Sequence, residues 1–247
     1  MLTELRRRER LLFDSAIAAL LGGVIALLAA AVDPHQILGI SRWIKPAKFF
    51  LSMAIYLATL AWMFSLLERP VRYIRGLIVI SMFVEIVCIT GQSLRGKQSH
   101  FNVETLLDLV VFNTMGGFIL LNSICVAILL RLFFRVVSIE RPLLVAIRLG
   151  LLVFLAGSFE AVFMLMRNAH TVGAADGGPG LPLVNWSTAH GDLRIAHFLG
   201  LHALQAFPLA ALVLRRVSLV VVFAIAYLAV IAWLLFAALN GRPLVGL

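Results

Sequence analysis

The sequence predicts an all-α integral membrane protein, a bundle of seven transmembrane helices. Of its 247 residues, 62% are hydrophobic and only 13% are charged, and the mean hydropathy is +1.03. These values lie outside the range of soluble domains. A helix needs about 20 apolar residues to cross roughly 30 Å of hydrocarbon. Runs of that length are predicted at 11–32, 48–67, 74–94, 107–130, 143–166, 194–214 and 217–239.

The segments between these runs are short and rich in Arg, Pro or Gly, as at 68–70, 140–142 and 215–216. None is long enough for a soluble domain, so residues 1–247 are predicted to form a single polytopic membrane domain. The first run follows several arginines, as the apolar part of a secretory signal peptide does. It is longer than the roughly 7–15 apolar residues of such a signal, so it is predicted to be a membrane span. The glycine-rich segment 168–189 is the longest connection, and it is predicted to be either a lid or a disordered loop.

Arginine and lysine set the predicted orientation, because positively charged short loops stay in the cytoplasm. The distribution favours a cytoplasmic N-terminus and an external C-terminus, in a bacterial inner membrane. Arginine beside apolar helices is typical of contact with the lipid bilayer and not with nucleic acid. The predicted inner segments contain Arg6, Arg7, Arg8, Arg10, Arg69, Arg72, Arg75, Arg131, Arg135, Arg141, Arg215 and Arg216. The outer segments contain Arg42, Lys45, Lys48, Arg95, Lys97, Arg167, Arg194 and Arg242.

All histidines fall on the predicted outer side, which places a candidate site in the outer half of the bundle. They are His35, His100, His170, His190, His197 and His202. His35 and His170 lie in loops with few other candidate residues around them, and they are expected to be incidental surface residues. His100 and His190 belong to polar outer segments, where they suit pH-sensitive binding or metal ligation.

Acidic residues inside the helices point to the same layer, because each costs at least about 2.5–3.5 kcal/mol at the bilayer centre unless it faces protein or water. Glu85 begins a heptad stripe that continues through Cys88, Gln92, Arg95 and Ser99 and is predicted to face the bundle interior. Further along the chain, Asp108 shares a face with Met115 and Asn122, and Glu160 lies beside Gly157 and Met164.

The start of the sixth run is the densest polar segment. Asp192 is predicted to cap that helix, with direct site chemistry as the alternative. Arg194, His197 and Gln205 share one helix face. His202 follows His197 by five residues, about 140° round the helix, so the two do not readily bind one metal.

Two other segments supply polar groups to the outer side. Asn102 is predicted either to cap the fourth helix or to belong to the site. Lys45 and Lys48 lie one turn apart near Pro46, which suits the first turn of a helix. They are expected either to reach lipid phosphate or to share an anion site.

Several functions fit this composition. In the first, the protein is a membrane-embedded hydrolase or transferase that acts on an amphipathic or anionic, lipid-like substrate, with zinc as the candidate cofactor. Its predicted catalytic residues are Glu85, Glu160 and Asp192. Its predicted metal ligands are His100, His190, His197 and His202. Its predicted substrate-binding residues are Lys45, Lys48, Gln92, Arg95, Asn102, Asp108, Arg194 and Gln205.

The alternatives use the same polar layer without hydrolysis. One is a transporter or receptor-like binder of a small anion or amphipathic ligand. Another is a b-type haem electron carrier, with His197 or His202 as one axial ligand and His100 as the other. A last alternative is that the buried charges pair with one another and serve helix packing alone. In outline the chain resembles the ceramidase and adiponectin-receptor groups, although their HxxxH pattern is absent.

Overall fold

The computed structural model describes residues 2–68 and 71–244. Arg69, predicted as a positive charge on the inner side, and Pro70, predicted as part of the connection at 68–70, lie outside the described residues. Within that part of the chain there are eight helices and four two-residue strands. In chain order they are α1 (Leu2–Arg8), α2 (Arg10–Val32), β1 (Gln36–Ile37), β2 (Ile40–Ser41), α3 (Ile44–Ser65), α4 (Arg72–Leu94), α5 (Leu106–Phe133), α6 (Arg141–Arg167), β3 (Thr171–Val172), β4 (Gly191–Asp192), α7 (Leu193–Leu214) and α8 (Val217–Leu239).

The prediction of an all-α protein with seven membrane-spanning helices is confirmed, because α2 to α8 are each long and apolar enough to cross a bilayer. The chain is therefore an integral membrane protein. The predicted ends are less accurate: α3 starts at Ile44, four residues before the predicted position. Pro46 does not prevent this start, since a proline in the first turn of a helix lacks only an N–H that would have no partner there.

The chain divides into two compact units, residues 1–125 and 126–247, and the division falls within α5. Unit 1 contains α1 to α4, the β1–β2 hairpin and the first part of α5. In this unit α2 packs against α3 through small residues. A methyl group added at Gly23 would lie 2.9 Å from the Leu51 side chain. Glycine at this position therefore allows the two helices to approach closely.

Asp33 anchors the connection between α2 and α3. Its carboxylate accepts hydrogen bonds from the Trp43 indole N–H and from the Arg42 guanidinium, both at 2.7 Å. The backbone N–H of His35 also donates to it. The His35 hydrogen bonds, followed by those of Trp43 and Arg42, hold the pKa of Asp33 well below its usual range. The His35 ring itself is 69% exposed, as expected for a surface residue.

Unit 2 contains the end of α5 together with α6, α7 and α8. Helices α6 and α7 cross where Gly157 faces Gly200, and a methyl group added at Gly157 would lie 2.7 Å from the Gly200 Cα. Helix α8 packs on α7 through Phe207, Phe223 and Tyr227, whose rings make edge-on and tilted contacts. The glycine pair thus sets the closest approach between α6 and α7.

The segment between α6 and α7 forms ordered structure. Strand β3 pairs with β4, and Gly180 forms a further bridge with Ser187. The Asp176 carboxylate accepts hydrogen bonds from the backbone N–H groups of His170 and Thr171 and contacts the His170 ring at 2.6 Å. The expectation that His170 is an incidental surface residue is therefore wrong, because its side chain is only 17% exposed.

Burial by itself raises the pKa of Asp176, but the hydrogen bonds and the charge of His170, with the hydrogen bonds of Thr171, outweigh it. The net result is a pKa well below the usual range of an aspartate. Asp176 is thus stabilised as a carboxylate at the centre of the segment.

Two cap predictions have different outcomes. Asp192 does cap α7, since its side chain accepts the Arg194 backbone N–H at 3.0 Å. The expectation that Asn102 caps the next helix is wrong, because α5 begins three residues later than that cap requires. Thr105 performs this role by accepting the Asp108 backbone N–H at 3.2 Å, whereas Asn102 accepts the Glu104 N–H in the preceding turn.

Candidate functional site

Each unit contains a buried glutamate beside a histidine. In unit 1 the histidine also contacts a lysine, and we call Lys45, His100 and Glu85 the unit 1 relay. The Lys45 Nζ lies 3.2 Å from His100 Nδ1, and His100 Nε2 lies 3.5 Å from Glu85 Oε1. These three residues come from the start of α3, the α4–α5 connection and the middle of α4. The relay therefore runs from a connecting loop into a transmembrane helix.

The contact with Lys45 determines where the His100 proton lies. An ammonium group has donors and no acceptor, so Nδ1 of His100 must accept from Lys45. In a neutral imidazole the hydrogen then lies on Nε2, the nitrogen that faces Glu85. Ser99 Oγ also lies 3.0 Å from this Nδ1, but a hydroxyl can donate or accept, so the lysine is the contact that fixes the tautomer. The relay is thus oriented from lysine through imidazole to carboxylate.

Glu85 is the inner end of this relay. Its side chain is 5% exposed, and its Oε2 atom is buried without a hydrogen bond from any described residue. The His100 ring is flanked by Phe49 and Phe101, at centroid distances of 5.8 and 6.3 Å. Apolar rings limit the access of water to the relay and strengthen its electrostatic interactions. Oε2 is consequently a position where a proton or a ligand donor would gain a strong interaction.

A second polar cluster, next to the relay, joins the end of α4 to the start of α5. Asp108 accepts hydrogen bonds from Gln92 at 2.8 Å, from Arg95 at 2.7 Å and from Thr105 at 2.7 Å. Arg95 also donates to Gln92. Three of the eight predicted substrate-binding residues, Gln92, Arg95 and Asp108, are therefore brought together. Their donors and acceptors satisfy one another, which indicates a role in holding the loop that carries His100.

The remaining predicted residues of unit 1 lie around this loop. Asn102 lines a surface cavity of about 430 Å³ together with Lys97 and Gln36. Lys97 forms an ion pair with Glu104 at 2.6 Å, which raises the pKa of the lysine. Lys48 is partly buried within α3, one turn after Lys45. A shared anion site of the two lysines stays a prediction.

The second glutamate and histidine, Glu160 and His197, form what we call the unit 2 pair. His197 Nδ1 lies 2.8 Å from the Gly157 carbonyl oxygen and 3.9 Å from Glu160 Oε2. Because a carbonyl can only accept, Nδ1 carries the hydrogen in a neutral His197. Both Glu160 carboxyl oxygens are buried, and neither accepts a hydrogen bond from the described residues.

The other predicted residues of unit 2 are mostly paired. Arg194 binds the Asp192 carboxylate through Nε at 2.9 Å, so the predicted catalytic aspartate and its neighbour form an ion pair. The His202 ring makes a tilted contact with the Phe198 ring, with a centroid distance of 4.2 Å, and His202 hydrogen-bonds with Gln205. The backbone N–H of His190 donates to Ser187. These contacts organise the beginning of α7.

The metal prediction has one supporting feature. His197 donates through Nδ1 to a carbonyl, the orientation that a metal-ligating histidine commonly has. Among the residues that the structure describes, however, no group of three or more His, Cys, Asp or Glu side chains is arranged to hold a metal ion. Zinc binding and haem binding stay predictions, as does a cavity that draws on both Glu85 and Glu160.

No protein-family model, curated protein or solved structure matches this chain.

Two contacts were not anticipated from the sequence. The first joins Lys45 to His100, which lie 55 positions apart, and no local pattern links them. The second is the Gly157 carbonyl, which orients His197. The sequence does contain an indication of the second contact. Gly157 lies three residues before Glu160, and Gly200 lies three residues after His197. Small residues next to polar ones are typical of close crossings between transmembrane helices.

Proposed function

We propose that this protein is a transporter or receptor-like binder of a small anionic or amphipathic ligand, in which a proton moves through the unit 1 relay. The supporting observation is the unbroken contact from Lys45 through His100 to the buried Glu85. Carboxylates and histidines within transmembrane helices are typical of proton relays in transporters and pumps. Lys45 supplies the positive charge that an anionic ligand needs.

The orientation of His100 gives the relay a direction. When Glu85 takes the Nε2 proton, Nδ1 takes one from Lys45, and the lysine is left neutral and able to accept a proton from the outer side. Each transfer occurs between groups already in contact, so it requires only small side-chain movements. A ligand anion at Lys45 favours the charged lysine and thereby links ligand binding to the position of the proton.

Proton flux into proteoliposomes tests this proposal. The full chain is reconstituted with an internal pH-sensitive dye, and a potassium diffusion potential drives proton entry. We expect Glu85→Gln and His100→Gln to lower the flux about tenfold or more, because each breaks the relay at a group that exchanges a proton. Glu104→Gln and His35→Gln are matched controls, since both residues are exposed. Flux equal to that of empty liposomes, or unchanged flux in Glu85→Gln, would contradict proton movement through the relay.

The ligand class is tested with octanoate, a small amphipathic anion. Octanoate should raise the thermal unfolding temperature of the wild type, and Lys45→Met should remove most of this increase because the cation is lost. An increase of equal size in Lys45→Met would exclude Lys45 as the anion-binding group.

A membrane-embedded hydrolase or transferase is the second candidate, supported by the Oε2 atom of Glu85, which makes no hydrogen bond to any residue that the structure describes. A buried carboxylate oxygen of this kind is suited to act as a general base toward water or a substrate hydroxyl. Hydrolysis of short-chain ester, amide or phosphodiester substrates by the wild type, and its loss in Glu85→Gln, would favour this candidate over transport.

We further propose that the relay faces the extracytoplasmic side of a bacterial inner membrane, as the arginine distribution favours. Single cysteines placed by Glu104→Cys and Arg7→Cys, in a Cys88→Ala/Cys125→Ala background, test this orientation in intact cells. A membrane-impermeant thiol reagent should label the cysteine at 104 and not the one at 7. The reverse labelling pattern would invert the proposed topology.

A further inference from the structure

Four arginines surround the junction of α1 and α2, far along the chain from the relay residues. Three of them, Arg6, Arg7 and Arg10, line a surface cavity of about 380 Å³ together with Thr3. None of the described residues lining this cavity is acidic. The cavity therefore presents guanidinium groups and a hydroxyl, all of which donate hydrogen bonds.

Nearby carboxylates orient these arginines without enclosing the cavity. Glu4 accepts two hydrogen bonds from Arg7, each at 2.8 Å, and Asp14 accepts one from Arg6 at 2.7 Å. The hydrogen bonds from Arg7 and Arg8 lower the pKa of Glu4 to about 2. Paired in this way, the Arg6 and Arg7 guanidinium groups are oriented before a ligand binds, which lowers the entropy cost of binding.

The same arginines keep unused donors. The ion pairs use the Nε and one terminal nitrogen of Arg6 and of Arg7, so the other terminal nitrogen of each makes no hydrogen bond to a described residue. Arg10 uses only Nε, at 3.4 Å from Asp14. The local charge is also unbalanced, because the third carboxylate, Glu9, is buried and paired with Arg75 at 2.7 Å.

We infer that this cavity, which we call the N-terminal arginine site, binds a phosphate group. Arginine matches phosphate because its planar fork donates parallel hydrogen bonds to two oxygens. The membrane-spanning helix α2 begins at Arg10, so the cavity lies at the depth where lipid headgroups meet the protein. The phosphate is carried by an anionic lipid headgroup or is free phosphate, and both present the same chemistry to these donors.

The test measures binding to the full chain in a non-ionic detergent. The probes are inorganic phosphate, dihexanoyl phosphatidylglycerol and, as a zwitterionic control with the same acyl chains, dihexanoyl phosphatidylcholine. The double variant Arg7→Ala/Arg10→Ala removes two lining cations. Arg8→Ala is the matched control, because Arg8 is 57% exposed and binds the same Glu4 but does not line the cavity.

We expect the double variant to bind phosphatidylglycerol about tenfold more weakly or worse, and Arg8→Ala to stay within about twofold of the wild type. Arg7→Lys/Arg10→Lys keeps the charge and should still bind more weakly, because lysine lacks the fork. Circular dichroism establishes that each variant is folded. If only the binding of phosphatidylglycerol depends on Arg7 and Arg10, the site binds a lipid headgroup. If the binding of inorganic phosphate shows the same dependence, the site binds free phosphate.

Three results would overturn the inference. One is an equal loss of affinity in Arg8→Ala, which would indicate long-range charge attraction. The second is binding of phosphatidylcholine that is as tight as that of phosphatidylglycerol and is not weakened in Arg7→Ala/Arg10→Ala, because the shared acyl chains would then account for it. The third is unchanged affinity in both double variants. None of these results depends on Glu85, so the N-terminal arginine site can fail while the proposed relay stands.

Discussion

The unit 1 relay and the unit 2 pair both place an imidazole beside a buried glutamate, but they hold the imidazole in opposite ways. His100 accepts a hydrogen bond at Nδ1 from a lysine, so its proton lies on Nε2. His197 donates from Nδ1 to the Gly157 carbonyl, so its Nε2 is the bare nitrogen. Neutral histidines in the two units therefore have different tautomers.

The source of each partner explains this difference. In unit 1 the histidine lies on a connecting loop, where a flexible lysine can reach it and a ligand can compete for the same cation. In unit 2 the histidine lies within α7 at a glycine crossing, where the nearest partner is a backbone carbonyl. A carbonyl cannot change its charge. The relay is thus suited to respond to a ligand, whereas the unit 2 pair is held rigidly.

The largest expected effect comes from Gly157→Ala, which disturbs unit 2 and leaves the relay residues unchanged. The new methyl group would lie 2.7 Å from the Gly200 Cα, and helix backbone cannot move aside cheaply. We expect a destabilisation of about 1–3 kcal/mol or more, measured by thermal unfolding in detergent.

Gly117→Ala is the control for that variant, because a methyl group added there meets no atom within 4 Å. Replacing glycine by alanine at an open helical position should be neutral or stabilising by up to about 1 kcal/mol. Equal stability of the two variants would show that the Gly157 and Gly200 crossing does not limit the packing of unit 2.

A smaller effect is expected for Asp176→Asn, which loosens the segment before α7 and its contact with His170. The pKa of Asp176 is lower in the folded state than in the unfolded chain. Its carboxylate therefore stabilises the fold at pH values above about 4, and this contribution is lost as the pH falls toward the folded-state pKa. Hydrogen exchange of the Thr171 amide should show about 0.5–1.5 kcal/mol less protection in Asp176→Asn at neutral pH, the net contribution of one hydrogen bond.

The pH dependence provides the control for this prediction. Acidification should reduce the protection of the wild type toward that of Asp176→Asn, while the protection of the variant changes little. If acidification instead increased the protection of the Thr171 amide in the wild type, the Asp176 carboxylate would not be the group that stabilises this segment.

The smallest effect, on tautomer populations rather than stability, separates the two histidines directly. In protein labelled with ¹⁵N-histidine, His100 should be protonated mainly at Nε2 and His197 mainly at Nδ1. Lys45→Met removes the donor to His100 and should shift its tautomer population toward a mixture, with no change at His197. Identical tautomers at the two positions in the wild type would remove the distinction between the relay and the pair.

Much of the fold was predictable because periodicity and hydropathy act locally. The seven spans and the cap at Asp192 depend on residues close together in sequence, and the structure bears them out. The heptad spacing that joins Glu85 to Gln92 also holds, since both side chains are buried. The cap at Asn102 failed because two neighbouring residues, Asn102 and Thr105, offer the same chemistry and helix packing selected the second.

The candidate site was less predictable. The sequence by itself determined the membrane class, the spans, and that Glu85, Glu160 and His197 had to face the protein interior, because the cost of placing a charge in hydrocarbon follows from composition and position. Only the tertiary structure decided which partner each of these groups has. Lys45 meets His100, and the Gly157 carbonyl meets His197, through helix crossings between residues distant in the chain. A hydrogen bond forms only over about 3 Å, so such pairings depend on helix rotation and close approach, which no local pattern specifies.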